Sequence, residues 1–190
     1  MKMTDSFSRF LRDRSGVAAV EFVLVAPLII LIYLGAVELS QGIEMSRNVN
    51  RTSGIVANLV AQQSVIRKNQ LDDILEIGKA TMYPYNRDTP SIRVTAIQVE
   101  ATPSSNPSAT VAWSYANGKL TRDAKDSDIA IPASFRVAGM FLVKVDVALS
   151  YVPITVWGLR NLASVKGGVP LGETYYFAPI NSEIILCPDC

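Results

Sequence analysis

The segment from Val17 to Val37 holds 21 residues and a single charge, Glu21. As an α-helix rising ~1.5 Å per residue it would reach roughly 30 Å, the thickness of a bilayer's hydrocarbon core. No other feature constrains the chain as strongly, because in water such a run would need cover on every side. A carboxylate within it is costly even on permissive insertion scales, so Glu21 reads as a functional residue. Upstream, Lys2, Arg9, Arg12 and Arg14 outnumber Asp5 and Asp13, whereas downstream Glu38, Glu44, Arg47 and Arg51 cancel. This asymmetry predicts a cytoplasmic N-terminus with the bulk of the chain across the membrane. A cleaved secretory signal fits poorly, since its apolar stretch is only ~7–15 residues long. The sequence Glu38-Leu39-Ser40-Gln41 also lacks an A-x-A site. A plain signal anchor satisfies length and charge but leaves Glu21 unexplained. Pro27 carries little weight, because membrane helices tolerate proline.

The remaining composition excludes more than it proposes. Lys+Arg is 18 and Asp+Glu is 17, a net charge of +1. Nucleic-acid binders usually carry a clear basic excess, so none is expected as a partner. The chain has no histidine, which removes Ser-His-Asp triads, Cys-His pairs and histidine metal sites. Gly167-Gly168 is too little to cradle a phosphate. Two acidic groups, Asp72/Asp73/Glu76 and Asp123/Asp126/Asp128, read as solvated faces of a helix and a turn. Trp113 and Trp157 are expected in a core or an interface. No catalytic residue, cofactor, metal or small-molecule substrate is expected.

A short basic leader ends in Gly16, and V-A-A-V-E-F opens the apolar helix. These residues resemble the processing site of type IV-like prepilins and pseudopilins, most of all the TadE-like proteins of the tight adherence (Tad, or Flp) pilus system. The resemblance implies that a prepilin peptidase cuts on the cytoplasmic side after Gly16. Val17 would begin the mature chain, Glu21 would be its fifth residue, and Phe22 its sixth, a position commonly aromatic in Tad pilins. It further implies that Glu21 pairs with the free amino terminus of a neighbouring subunit and so sets the register of packed helices. The physics supports such a pair, because opposite charges attract strongly in low dielectric and each is costly alone. The competing explanation is a glutamate that snorkels to the headgroups, since Glu21 lies only roughly 6 Å inside the span. Looser matches follow the TadE-like layout: W-S-Y, I-P-A, the run ending L-S-Y-V-P, Y-F-A-P and a final C-P-D-C. One departure is that Ala178 and Ile180 flank Pro179 where the family often has arginine.

Beyond Val37 the stripe Met45, Val49, Thr52, Val56, Leu59, Gln63, Ile66 steps by four and three, which predicts one helix from Val17 to about Lys68. Asn69 is a candidate cap for a second helix from Gln70 to about Ala80, with Gly78 a possible end. Beyond residue 90 the texture changes to strands. Ile92–Val99, Thr110–Tyr115 and Phe141–Val152 are the main ones, with Thr174–Phe177 and Glu183–Cys187 shorter. Asn117-Gly118 reads as a hairpin turn, while Pro103–Ser108 and Val165–Pro170 read as loops. Along Phe141–Val152, apolar Val143, Val145, Val147 and Leu149 alternate with Leu142, Lys144, Asp146, Ala148 and Ser150, as in one half-buried antiparallel sheet.

Cys187 and Cys190 read as a small disulfide or free thiols, or else as a redox or metal site. A metal site has little support, because zinc takes about four ligands and no second C-x-x-C exists. The expected fold is α+β, a long N-terminal helix packed on a small antiparallel sheet, pilin-like. Residues 1–16 would be a cytoplasmic leader, 17–38 a transmembrane helix in the bacterial inner membrane, and 39–190 a periplasmic domain. The resemblance implies a non-catalytic minor pseudopilin, its body being larger than that of the small major Tad pilins. Its partners would be the prepilin peptidase and other pilins or pseudopilins of the Tad system. The alternative is a permanently anchored periplasmic domain, with thiol-disulfide chemistry at the two cysteines.

Overall fold

The computed structural model describes residues 16–85, 87–101, 107–154 and 168–190. The leader up to residue 15, most of the loop expected at 103–108, Trp157 and residues 165–167 lie outside the described residues. The chain divides into two compact units, one ending at Gln41 and the other running from Gly42 to Cys190. The architecture is α+β: a long helix α1 (Val17–Ala61), a shorter α2 (Lys68–Ala80) and a four-stranded sheet.

In the first unit α1 is apolar around its whole circumference, and Phe22, Leu24, Ile29, Leu31 and Tyr33 are all exposed. A helix of this length and composition can cross a membrane.

In the second unit the same helix changes character. Met45, Val49, Thr52, Val56 and Val60 are buried on one face, at the three-and-four spacing of a helical stripe. They share a core with Ile92, Val94, Val143, Val145 and Val147 from the sheet. Burying one such side chain contributes about 1.5–3 kcal/mol. Buried Thr52 satisfies its hydroxyl by donating to Asn48 O at 2.8 Å and by bonding Thr81 Oγ1.

The helix stops at Ala61, not near Lys68 as its periodicity predicts. Nothing local forces this, for no glycine or proline follows. The cause is tertiary. Residues 178–190 form a strap that satisfies the backbone groups of the corner between the helices. Ile180 N–H donates to Ala61 O at 2.9 Å, Leu186 N–H to Ser64 O at 3.1 Å, and Ile66 N–H to Leu186 O at 2.9 Å. The Asn181 amide donates to Gln62 O at 2.8 Å. Helix ends leave backbone groups without intrahelical partners, and here a distant segment supplies several of them. Ile66, expected on the α1 stripe, is buried from within this corner instead.

The cap of α2 is not Asn69 but Arg67. The Gln70 side chain accepts from Arg67 N–H at 2.9 Å, and the Asp189 carboxylate accepts from Lys68 N–H at 3.2 and 3.3 Å. Nor does Gly78 end α2. It lies inside the helix, buried, where a Cβ would stand 2.8 Å from Val56 Cγ2 and 3.0 Å from Ile92 Cδ1. The glycine is there for close approach of α2 to α1 and the sheet.

The sheet comprises β1 (Ser91–Val99), β2 (Ala109–Ala116), β3 (Phe141–Tyr151) and β4 (Val169–Phe177) in the order β2-β1-β3-β4. All neighbours are antiparallel, with Val94 opposite both Tyr115 and Val145, and Val145 opposite Tyr175. The alternation read in β3 holds, and Val143, Val145, Val147 and Leu149 enter the main core. The opposite face is not wholly wet. Ile97, Val99, Ala109 and Leu142 are buried there with Ile131, and Phe135 and Tyr176 pack against them.

Three local readings change. Asn117-Gly118 is a turn, with Gly118 at φ +66°, but it does not close a hairpin. Asn117 instead exchanges hydrogen bonds with Ile92, accepting on Oδ1 at 2.8 Å and donating from N–H at 3.0 Å. Val169 and Pro170 belong to β4 rather than to a loop. Glu183–Cys187 is no strand, and only Leu186 makes a bridge, to Val65.

Gly78→Val in the full chain is expected to lower stability by about 1–3 kcal/mol through overpacking, read as a lower denaturant midpoint by circular dichroism. An unchanged midpoint would show that α2 does not need its close approach to α1.

Candidate processing and assembly site

Gly16 immediately precedes α1, and its carbonyl accepts the first helical bond, from Val20 N–H at 3.1 Å. Among the described residues a side chain at Gly16 would meet nothing within 4 Å. The Gly16–Val17 peptide stands at the helix start. Val17 is exposed and Phe22 is 71% exposed. Glu21 is exposed as well, four residues after Val17 and so on the same helical face. Among the described residues no hydrogen bond or ion pair engages its carboxylate. The structure thus brings Gly16, Val17, Glu21 and Phe22 together within the first turns of one uncovered apolar helix.

Residues 16–53 match the model of a protein family described as TadE-like protein. The N-terminal segment of this chain is similar to that family. The match runs from the helix start into the packed half of α1. No curated protein and no solved structure matches the chain.

Outside the TadE-like segment, Cys187 and Cys190 form a disulfide with Cα atoms 5.5 Å apart. Asp189 lies close to both sulfurs, but bonded sulfurs offer no thiolates to a metal. Trp113 is a core residue, donating from Nε1 to the Ile185 carbonyl at 2.7 Å.

The acidic groups are not all solvated faces. Asp72 Oδ1 accepts from the Tyr115 hydroxyl at 2.6 Å. That bond, with burial added, pushes the Tyr115 phenol above its ordinary pKa. Asp123 accepts from Arg93 Nη1 at 2.9 Å and from Thr95 Oγ1 at 2.8 Å. The same arginine donates from Nε and Nη2 to Asp146 Oδ2 at 3.0 and 2.8 Å. Lys144 lies 3.2 Å from that oxygen, and Thr174 donates to Oδ1 at 2.7 Å. This network links three strands and a loop on the sheet's outer face. Its signal was present in the sequence as Lys144 and Asp146 on the polar face of β3, but Arg93 joins only through register, since it sits directly opposite Asp146. Every acid in it is matched by fixed donors, the arrangement of a structural clamp rather than of a proton-transfer pair.

Burial pushes the Asp146 carboxyl upward, but donation from Thr174 and Arg93 and the Lys144 charge outweigh it, so its pKa falls below 3.8. A carboxyl with a depressed native pKa contributes stability above its unfolded value and loses it as pH falls through the native one. Wild-type protein is therefore expected to lose stability as pH drops below about 4. Asp146→Asn should be less stable at pH 7 and lose less on further acidification, measured by denaturant unfolding at each pH. Equal acid sensitivity in both proteins would remove Asp146 from the account.

Proposed function

We propose that this chain is a non-catalytic minor pseudopilin of Tad pilus assembly, processed by prepilin peptidase after Gly16. The observation that carries the reading is the Gly16–Val17 bond at the start of a helix whose first 21 residues, Val17 to Val37, carry one charge, Glu21, within the segment similar to TadE-like proteins. Residues 1–16 lie in the cytoplasm in this reading, α1 crosses the inner membrane, and the second unit lies in the periplasm. Cleavage creates an amine at Val17. That amine and the Glu21 carboxylate of an adjacent subunit attract in low dielectric, where either alone is costly. The pair fixes the axial register between helices whose apolar surfaces alone would slide.

The closed Cys187–Cys190 disulfide favours a second reading, a permanently anchored periplasmic domain with thiol-disulfide chemistry. N-terminal analysis of the membrane protein separates the two. A start at Val17 is expected in cells with active prepilin peptidase, and a start at Met1 favours the anchor. Gly16→Ala is expected to abolish processing. Glu21→Ala is expected to leave processing intact and reduce pilus formation, and normal pili in that variant would refute the register role.

A further inference from the structure

We infer that the Cys187–Cys190 ring is a redox-gated cap for α2, holding Asp189 on the helix N-terminus when closed and releasing it when opened by a dithiol reductant. The inference is independent of whether residues 1–16 are removed.

The strap is anchored in two different ways. Up to Leu186 it is fixed without the cysteines, by Trp113 Nε1 on Ile185 O and by the paired bonds of Leu186 with Ser64 and Ile66. Beyond Leu186 the anchoring changes in kind. Cys187 packs against the main core. Among the described residues, the hydrogen bonds that then reach back to the corner are those of the Asp189 carboxylate to Lys68 N–H, at 3.2 and 3.3 Å. The disulfide closes a ring of four residues around Pro188 and Asp189, and proline fixes its own φ. Asp189 is thereby confined where its charge meets the positive end of α2. Ring closure over so few residues does little for global stability by the chain-entropy argument. Its effect is local, on the placement of one carboxylate.

Cys190 is exposed while Cys187 is half-buried, so the reactive sulfur is Sγ of Cys190. A thiolate of an external dithiol attacks it, forming a mixed disulfide. The Cys187–Cys190 bond breaks, and its electron pair leaves on Cys187 Sγ, which takes up a proton. The second thiol of the reductant then attacks the mixed disulfide, releasing the Cys190 thiolate, which is protonated in turn. The reductant departs as its own disulfide, and two electrons and two protons have reached the protein. An oxidising disulfide reverses the sequence. In the open form Asp189 regains its chain freedom and α2 loses a cap.

The test uses the full chain in detergent micelles, with amide exchange followed residue by residue by NMR. Treatment with dithiothreitol is expected to speed exchange of the Lys68 amide by about fivefold, the usual effect of losing a side-chain cap. Amides of α1 from Val56 to Val60 should stay protected. Cys187→Ser/Cys190→Ser should match the reduced protein without reductant. Asp189→Ala should exchange fast at Lys68 with its disulfide intact, and reduction should add nothing more there. The proposal is overturned if reduction leaves Lys68 unchanged. It is equally overturned if reduction accelerates Asp189→Ala as much as wild type, or if protection is lost throughout α1.

Discussion

The stripe Met45, Val49, Thr52, Val56 and Val60 packs against the inner face of β1 and β3, and the rest of the structure depends on that contact. It lets one continuous helix serve two surroundings. Before Gln41 most apolar side chains of α1 are exposed among the described residues, and such a surface suits hydrocarbon. After Gly42 the same backbone presents a single apolar face, with Arg47, Asn50 and Arg51 exposed. The change lies entirely in side-chain pattern, since helical hydrogen bonding serves both environments equally. Glu21 is the one charge between Val17 and Val37, and Thr52 is a buried polar residue on the stripe of the second half. The two differ in their surroundings. Thr52 bonds within the chain, whereas Glu21 is exposed.

Around the helix the domain is closed by polar clamps at defined places. The Arg93 network fastens β1, β3 and β4 to the loop after β2 on the outer face. On the inner side, Tyr115 on β2 bonds Asp72 on α2. The outer edge of β2 is covered by its own chain, for Val111 N–H donates to Ser127 O and Ile129 N–H to Ala109 O, at 3.0 and 2.9 Å. β4, at the opposite edge, carries Pro170 and Gly172, residues that suit an edge strand and would disrupt a central one.

The features legible in the sequence were those set by periodicity. The span, the α1 stripe, the alternation of β3 and the strands β1 and β2 all follow from side-chain spacing alone. What was not legible depended on distant partners. Nothing near Ala61 marks the helix end, because its carbonyl is satisfied by Ile180, far along the chain. Asn69 has the right chemistry for a cap, but the helix starts at Lys68, whose N–H is met by Asp189. Val169–Pro170 reads as a loop because proline and glycine are turn residues, yet at an edge they are compatible with pairing. Asp123 sits in a charged run that looks solvated, and only the register of Arg93 opposite Asp146 draws it in. At the candidate site the residues themselves were readable, since Gly16, Val17, Glu21 and Phe22 are contiguous and need no tertiary placement.

The strap has a consequence for how the molecule is made. Residues 178–190 leave the ribosome more than a hundred positions after the corner they complete. Through that interval the apolar half of α1 is already available to the membrane, while its packed half still lacks both sheet and strap. In the membrane-anchored reading proposed above, insertion precedes folding and the nascent domain matures tethered at one end. Contacts so remote in sequence form late because a long loop must close first. Translocation of an extended chain, which that reading requires, needs such a delay, and the delay is a property of chain order.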